Sequence, residues 1–224
     1  MIDHSLKPAE VVIIGGGFGG LEVAKGLRNA PVRIFLADRR NYHLFQPLLY
    51  QVATSVLSGE KIAAPIRRVL RSQKNTTVAL AEITGIDFEK QIVFGKRAGR
   101  HYDYLVIAAG LEQSYFGHDE FRAHAPGLKT LDDAAEIRRR ILVAFEEAEF
   151  EVDEASRRGK LTFVIVGGGP TGCELAGSII ETATQTLPRE FRHVDTRTAR
   201  VILVDRGERL LGGMPEGMGI QAQK

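Results

Sequence analysis

Cysteine is almost absent from this chain of 224 residues: Cys173 is the only one. A single thiol cannot close an intrachain disulfide, which fits a reducing compartment. It also excludes the paired catalytic cysteines of disulfide-reducing chemistry. An excess of one charge is missing too. Thirty basic residues face 28 acidic ones, for a net charge of +2, so the balance does not point to a nucleic acid. The basic clusters Arg138, Arg139, Arg140 and Arg67, Arg68, Arg71, Lys74 read as solvated helix faces. No apolar run approaches the roughly 20 residues needed to span a bilayer. The amino terminus, MIDHSLKPAE, is polar and carries acids, unlike a secretory signal. Together these absences lead to the expectation of a cytoplasmic protein without metal chemistry.

What the chain does have is glycine, in two clusters built alike. The first is EVVIIGGGFGGLEVAKGLRNAPVRIFLADRR. Residues 11–14 are a continuous apolar run, as in a strand buried on both faces. Gly15, Gly17 and Gly20 follow in GxGxxG spacing, then a helix whose inner face is Leu21, Ala24 and Leu27, then a strand over 32–37 that ends at Asp38. Gly15 permits the tight turn, Gly17 lets a pyrophosphate approach the backbone, and Gly20 with Ala24 lets the helix lie close to the sheet. The helix start offers its N–H groups and positive dipole end to phosphates. Asp38, 18 residues after Gly20, is placed to accept from an adenosine ribose. Such spacing alone is weak evidence. Its position between strand and helix, with its acid, makes a dinucleotide site.

LTFVIVGGGPTGCELAGSII repeats the plan, with Gly167, Gly169, Gly172 and Ala176 in the corresponding places. A later strand over 201–204 ends at Asp205, 33 residues beyond Gly172. The surplus, TATQTLPREFRHVDTRTA, reads as an extended helix end and a loop. Asp205 favours NAD over NADP because a carboxylate repels a 2′-phosphate, although Arg206 and Arg209 could receive one. Two such folds in one chain suit a resident flavin and a visiting nicotinamide, with the protein supplying orientation.

Between the clusters, NYHLFQPLLYQVA has neither helical nor strand period, and His43 reads as a hydrogen-bonded structural histidine. Residues 60–71 have helical spacing. Residues 77–88, 91–94 and 102–108 read as three strands, with TGIDFEKQ and GKRAGRHY as polar turns. Ala109 and Gly110 end the last strand with small residues that allow a ligand close to the backbone. Residues 130–154 read as one long helix, opened by a loose capping box of Thr130 and Asp133, and SRRGK reads as a link. The fold class is therefore α/β. Two Rossmann-like dinucleotide-binding folds are expected, the second incomplete, with a small antiparallel meander in the first. The expected divisions are 1–125, a helical connection over 126–159, and 160–224.

GGGFGGLEVAKGL, DRRNYHLFQPLLYQVAT, IAAPIRRVLR, YFGHDEF, APGLKTLDDAAEIRRRILVAFEEAE and TFVIVGGGPTGCELAG together resemble the type II NADH dehydrogenases, flavin-dependent NADH:quinone oxidoreductases. The resemblance implies FAD on the first fold and NADH on the second, with hydride passing to the flavin and electrons onward to a quinone. It places FAD against Phe18, Gly19, Arg39, Pro47 and Leu48, with residues 45–51 near the isoalloxazine ring. It places NADH against Pro170 and Thr171, and it makes Glu174 a catalytic acid facing the flavin; the residues alone read Glu174 equally as an acid stabilised by the helix dipole. Cys173 reads as a small packed hydrophobe.

Two departures stand out. Ala108-Ala109-Gly110 replaces the Ala-Thr-Gly common at this strand end. The chain is also about half the length expected of such enzymes, which continue into a returning flavin segment and membrane-resting helices. The tail LLGGMPEGMGIQAQK reads as a loop and the first turns of a helix, with Pro215 and Glu216 in its opening turn. Two readings follow: the amino-terminal portion of the enzyme, or a non-catalytic nucleotide-binding fragment. A related flavoenzyme with another acceptor is a third, though sulfide-oxidising relatives need more than one cysteine. An open second sheet leaves apolar surface, hence an expectation of marginal stability or a homo-oligomer.

Overall fold

In the computed structural model of the chain, residues 7–96 and 98–223 are described. The first six residues of the polar amino terminus, Arg97 of the expected GKRAGRHY turn and the final Lys224 lie outside them. In chain order the elements begin with β1 (Ala9–Ile14), α1 (Phe18–Gly26), β2 (Val32–Asp38), β3 (Tyr42–Leu44), α2 (Leu49–Ala53), β4 (Ala63–Pro65) and α3 (Ile66–Val69). Next come β5 (Thr76–Leu80), β6 (Ile83–Asp87), β7 (Ile92–Gly95), β8 (Gly99–His101) and β9 (Tyr104–Ile107). The remainder are α4 (Leu131–Phe150), α5 (Glu154–Lys160), β10 (Thr162–Val166), α6 (Pro170–Glu181), β11 (Arg200–Val204) and α7 (Glu216–Ala222).

These elements sort into two compact units. One holds the described residues up to Leu44 together with Ala63–Glu112; the other holds Phe45–Ile62 with the described residues from Gln113 onward. This differs from the division expected from the sequence. Residues 45–62 belong to the second unit because α2 buries Leu49, Val52 and Ala53 against α4 and α6. The first unit stops at Glu112 rather than at residue 125, and α4 and α5 pack within the second unit instead of forming a separate connection.

The first unit is organised by a parallel sheet of order β5-β2-β1-β9. Its central strand β1 carries the apolar run, and Val11, Val12 and Ile13 are all buried. Val11 and Ile13 join Leu21, Ala24, Ile34 and Ile66 on one side. Val12 meets Val93 and Tyr102 on the other, under the antiparallel meander β6-β7-β8. The stretch 77–88 is two strands rather than one. β5 extends the parallel sheet beside β2, and after residues 81 and 82 the chain re-enters as β6 in the meander. Apolar residues run from Val78 to Ala81 and resume at Ile83, and no glycine or proline marks the break. Residues 60–71 are not one helix: they hold the end of a 3-10 turn (Gly59–Lys61), the short strand β4 and the single turn α3. Pro65 explains this, because the residue before a proline is pushed out of the helical region.

In the second unit the loose capping box is real: Thr130 Oγ1 accepts from Asp133 N–H at 3.1 Å, and Asp133 Oδ2 accepts from Thr130 N–H at 2.8 Å. α4 buries Ala134, Ile141, Phe145 and Ala148, and it ends at Phe150 rather than 154. Asp153 starts α5 instead, its Oδ2 accepting from Ser156 N–H at 2.7 Å, so SRRGK is helix and not link. The Phe145 ring lies 5.5 Å from that of Phe163 on β10 and 6.1 Å from that of Phe191. β10 and β11 pair in parallel, and Val164, Val166, Ile202 and Val204, on one face of the pair, are exposed. The surplus after α6 is a π turn over Thr182–Thr186 followed by short 3-10 turns. α7 begins at Glu216, with Pro215 as its cap rather than its first residue.

Glu149 of α4 pins the loop that follows. Its two oxygens accept the N–H groups of Arg192, His193 and Val194 at 2.9–3.1 Å. Burial opposes its charge, but the three backbone donors outweigh burial and hold its carboxyl below the usual carboxylate range. A carboxyl depressed on folding stabilises the protein above its unfolded value and loses that effect as pH falls through the folded one. Thermal melts of Glu149→Gln are therefore expected to fall below wild type at neutral pH and to converge with it in acid. Parallel melting curves at all pH values would contradict this.

Candidate nucleotide-binding turns

The first turn is built where β1 ends. Gly15 N–H donates to Ala37 O at 2.7 Å, and Gly15 takes a φ of +103°, in the region that favours glycine. A Cβ there would overlap the carbonyl oxygen of Ala108, at the end of the neighbouring β9. Gly17 caps α1 in extended conformation with no side-chain cap and no acid in the first turn. It is exposed, and nothing lies within 4 Å of where its Cβ would stand. Gly19 is exposed beside it, and Gly20 is buried so close to the Gly15 carbonyl that a Cβ would overlap it. Helix N–H groups and the positive end of the dipole are therefore open to an anion.

Around that turn the structure brings together most of the residues singled out in the first fold. Asp38 Oδ2 accepts from Gly16 N–H at 2.6 Å, and Arg39 forms an ion pair with Glu112 at 2.9 Å. Ala109 and Gly110 follow β9, exposed, with Gly110 at φ +78°. Phe18 stands edge-on to His43, ring centroids 4.8 Å apart, and His43 Nδ1 lies 3.2 Å from Gly16 O, which is the structural role expected of it. Pro47 and Leu48 are not in this unit. They form a 3-10 turn, Gln46–Leu48, of the second.

The second turn reproduces the first. Gly167 has φ +114° and donates its N–H to Val204 O at 2.8 Å. Gly169 caps α6 without a side-chain cap or a first-turn acid, and Pro170 opens the helix. Gly169, Pro170 and Thr171 are exposed, and a Cβ on Gly172 would overlap the Gly167 carbonyl. Asp205 Oδ2 accepts from Gly168 N–H at 2.6 Å, and this and the Gly207 N–H hold its carboxyl below the usual range. Arg209 is committed to its own loop, donating to Gly212 O at 3.1 Å and Met214 O at 3.3 Å. Glu174 is exposed near the start of α6. Cys173 Sγ lies 3.6 Å from Gly168 O. Burial, and then the charges of Glu174 and Asp205, push its thiol up, so it is no activated nucleophile.

The middle glycines, Gly16 and Gly168, were missed from sequence. A Cβ on Gly16 would overlap Ile66 Cδ1, and one on Gly168 would stand 2.9 Å from Leu210 Cδ2. Their signal was the middle glycine of each GGG, which GxGxxG spacing leaves unread. Among the described residues no group of three or more His, Cys, Asp or Glu could hold a metal, and no helix is long and apolar enough to cross a membrane. The two turns suit ligands with a pyrophosphate and a ribose.

Known proteins resemble the chain in sequence and in fold. Residues 9–224 match the family model for pyridine nucleotide-disulphide oxidoreductases. The chain is 51% identical over 218 residues to the type II NADH:quinone oxidoreductase NdhA of Mycobacterium tuberculosis, covering 96% of this chain and 46% of that protein. It is also 51% identical over 216 residues to the type II NADH:quinone oxidoreductase Ndh of the same organism, covering 95% and 47%. The chain thus spans about half the length of these relatives. In fold it resembles the structure of NDH2 from Plasmodium falciparum in complex with NADH, with a TM-score of 0.87 and 23% identity over 96% of this chain and 45% of that one.

Proposed function

The chain belongs to the pyridine nucleotide-disulphide oxidoreductase family, and from that premise we propose that it is the amino-terminal, nucleotide-holding portion of a type II NADH:quinone oxidoreductase. The observation that carries this reading is the duplicated turn. Two helix starts, each reached through a glycine at positive φ and each tied to an acid at the end of the next strand, provide for two dinucleotides in one chain. The names of the two mycobacterial relatives support NADH as one of the two, and our reading puts FAD on the first turn and NADH on the second.

The residues present fit both groups. Gly17 and Gly169 are exposed with open space over their Cα atoms, so a pyrophosphate can reach the N–H groups of α1 and α6. Asp38, Arg39, Ala109 and Gly110 would hold the FAD nucleotide, and Pro170, Thr171 and Asp205 that of NADH. The chemistry supplied when both are bound is hydride transfer from NADH to FAD and passage of two electrons to a quinone. Glu174, an exposed carboxylate on the helix that would hold NADH, is the side chain proposed for a catalytic role. Contact with a membrane surface, on the cytoplasmic side, belongs to the same proposal.

The purified chain, incubated with FAD and freed of excess, is expected to retain flavin absorbance and to bind NADH. Replacing Asp38 with alanine is expected to lower the retained flavin. Retention of neither nucleotide by the wild-type chain would sink the proposal. A second reading, binding without turnover, is favoured by the coverage of under half of each relative; NADH oxidation with a quinone by the 224-residue chain would exclude it.

A further inference from the structure

Two basic clusters read alike in the sequence, and the structure separates them. On α4, Arg139 and Arg140 both pair with Glu136, at 2.8 and 2.7 Å, and Arg140 also donates to the carbonyls of His124 and Ala123. At α3 the burial of Ile66 and Leu70 turns Arg67, Arg68 and Arg71 outward, and all three are exposed. They share one face because residues three and four apart on a helix are neighbours. The turn that follows adds Lys74, also exposed. Arg28, just past the end of α1, joins that turn by donating from Nη2 to Ser72 Oγ at 2.8 Å. Among the described residues, none of these five cations forms an ion pair with a carboxylate. The sequence holds no Asp or Glu from Lys61 to Ala81, and Glu22 of α1 is taken by Lys25 at 2.7 Å. The whole chain carries only +2, so the patch is a local excess of charge.

We propose that Arg28, Arg67, Arg68, Arg71 and Lys74 make this face of the first unit a docking surface for an anionic lipid bilayer. The proposal rests on the reading of the chain as part of a quinone-reducing enzyme, and it names the surface that meets the membrane. A quinone with a long hydrocarbon tail dissolves in the bilayer, so a protein that reduces it must approach a layer of headgroups. Cations near an anionic leaflet each add to binding, and the effect falls off within a Debye length. Four of the five are arginines, whose guanidinium groups match a lipid phosphate with two parallel hydrogen bonds. Ser72 holds Arg28 in the face without neutralising it, because a hydroxyl accepts and carries no charge. No large apolar side chain of residues 63–79 is exposed, so nothing inserts among the acyl chains, and the contact is superficial, reversible and sensitive to salt. Residues 61–79 also contain no aromatic side chain, so a nucleic-acid base has nothing to stack on. The contact is separate from the membrane-resting helices that the resemblance implies, for all five cations lie within residues 28–74.

The test is cosedimentation of the purified 224-residue chain with vesicles of phosphatidylcholine in which one lipid in four is phosphatidylglycerol. Binding is expected in about 0.1 M salt, where the Debye length is about 10 Å, and its loss in about 1 M salt, where it is about 3 Å. Vesicles of phosphatidylcholine alone should not bind. Arg67→Gln with Arg68→Gln is expected to weaken binding by about 25-fold, about fivefold for each cation. Arg67→Lys with Arg68→Lys should keep most of it. Arg138→Gln with Arg139→Gln, the same loss of charge on α4, should leave it unchanged. Circular dichroism and FAD titration of each variant are expected to match wild type, because these side chains stand outside the glycine turns. Absence of binding to the phosphatidylglycerol vesicles, equal binding to phosphatidylcholine alone, or an equal loss in the α4 variant overturns the proposal. So does capture of a single-stranded RNA oligonucleotide in place of the vesicles. If the chain binds the vesicles but neither FAD nor NADH, the enzymatic reading fails and the docking surface stands; if it binds the nucleotides and no vesicle, the docking surface alone fails.

Discussion

Replacing Gly20 with alanine is expected to abolish flavin retention and to destabilise the first unit. The added Cβ would overlap the Gly15 carbonyl oxygen, stand 3.0 Å from the Gly15 carbonyl carbon, and lie 3.3 Å from Ile13 Cγ2. Two of these are backbone atoms of the turn itself, so no side chain can swing aside. Either α1 lifts from the sheet or Gly15 leaves its positive φ, and both undo the cradle. Overpacking of this kind costs about 1–3 kcal/mol, more where backbone must move. Gly17→Ala separates binding from folding. Nothing lies within 4 Å of its Cβ position, and its φ of −74° suits any residue. It should therefore melt within about 1 kcal/mol of wild type while weakening FAD, because the methyl occupies the space a pyrophosphate needs. Thermal melts paired with flavin titrations of both variants check this. Equal stability of Gly20→Ala and wild type would show that the turn is looser than described.

The other large effect is expected from Phe145→Ala. Phe145 is fully buried at the middle of α4, with its ring against Phe163 and Phe191. It thereby joins the long helix to β10 and to the loop after α6. Truncation removes most of an aromatic side chain and leaves a cavity among groups fixed by helix and strand. Such changes cost about 3–5 kcal/mol, a large share of the roughly 5–15 kcal/mol that a domain has in hand. Denaturant titration is expected to show the second unit unfolding at markedly lower concentration, with hydrogen exchange accelerated across α4, β10 and α6. Phe145→Leu, which keeps part of the volume, should lose less. A loss below 1 kcal/mol in Phe145→Ala would mean that the neighbouring rings collapse into the space.

Local rules made the parts that matter most for binding legible in the sequence. A strand buried on both faces must be apolar throughout, and a tight turn beside a helix must be glycine. Hence residues 11–14 and Gly15, Gly17 and Gly20 could be placed before any coordinates, as could their counterparts at 167, 169 and 172. The Thr130 and Asp133 cap was readable for the same reason, since both partners lie within one helical turn. What depended on distant partners was not readable. Gly16 was not readable because its requirement comes from Asp38 and Ile66. The break after Leu80 was hidden because an apolar run suits an edge strand and a meander strand equally. The membership of residues 45–62 was hidden because their apolar side chains do not say which helices they meet. Asp153 and Pro65 were local signals that helical spacing outvoted; a cap and an imino acid override periodicity.

The acid-to-glycine bridges also order events in time. Each closes a loop, of 22 residues in the first turn and 37 in the second. Closure cost grows with the logarithm of loop length, so the second bridge costs about 0.5 kcal/mol more than the first. It also waits for the π turn and short 3-10 turns between α6 and β11 to take shape. On a ribosome the first bridge can form once Asp38 has emerged, long before Asp205 exists. The same motif, used twice, can thus close early in one half of the chain and only late in the other.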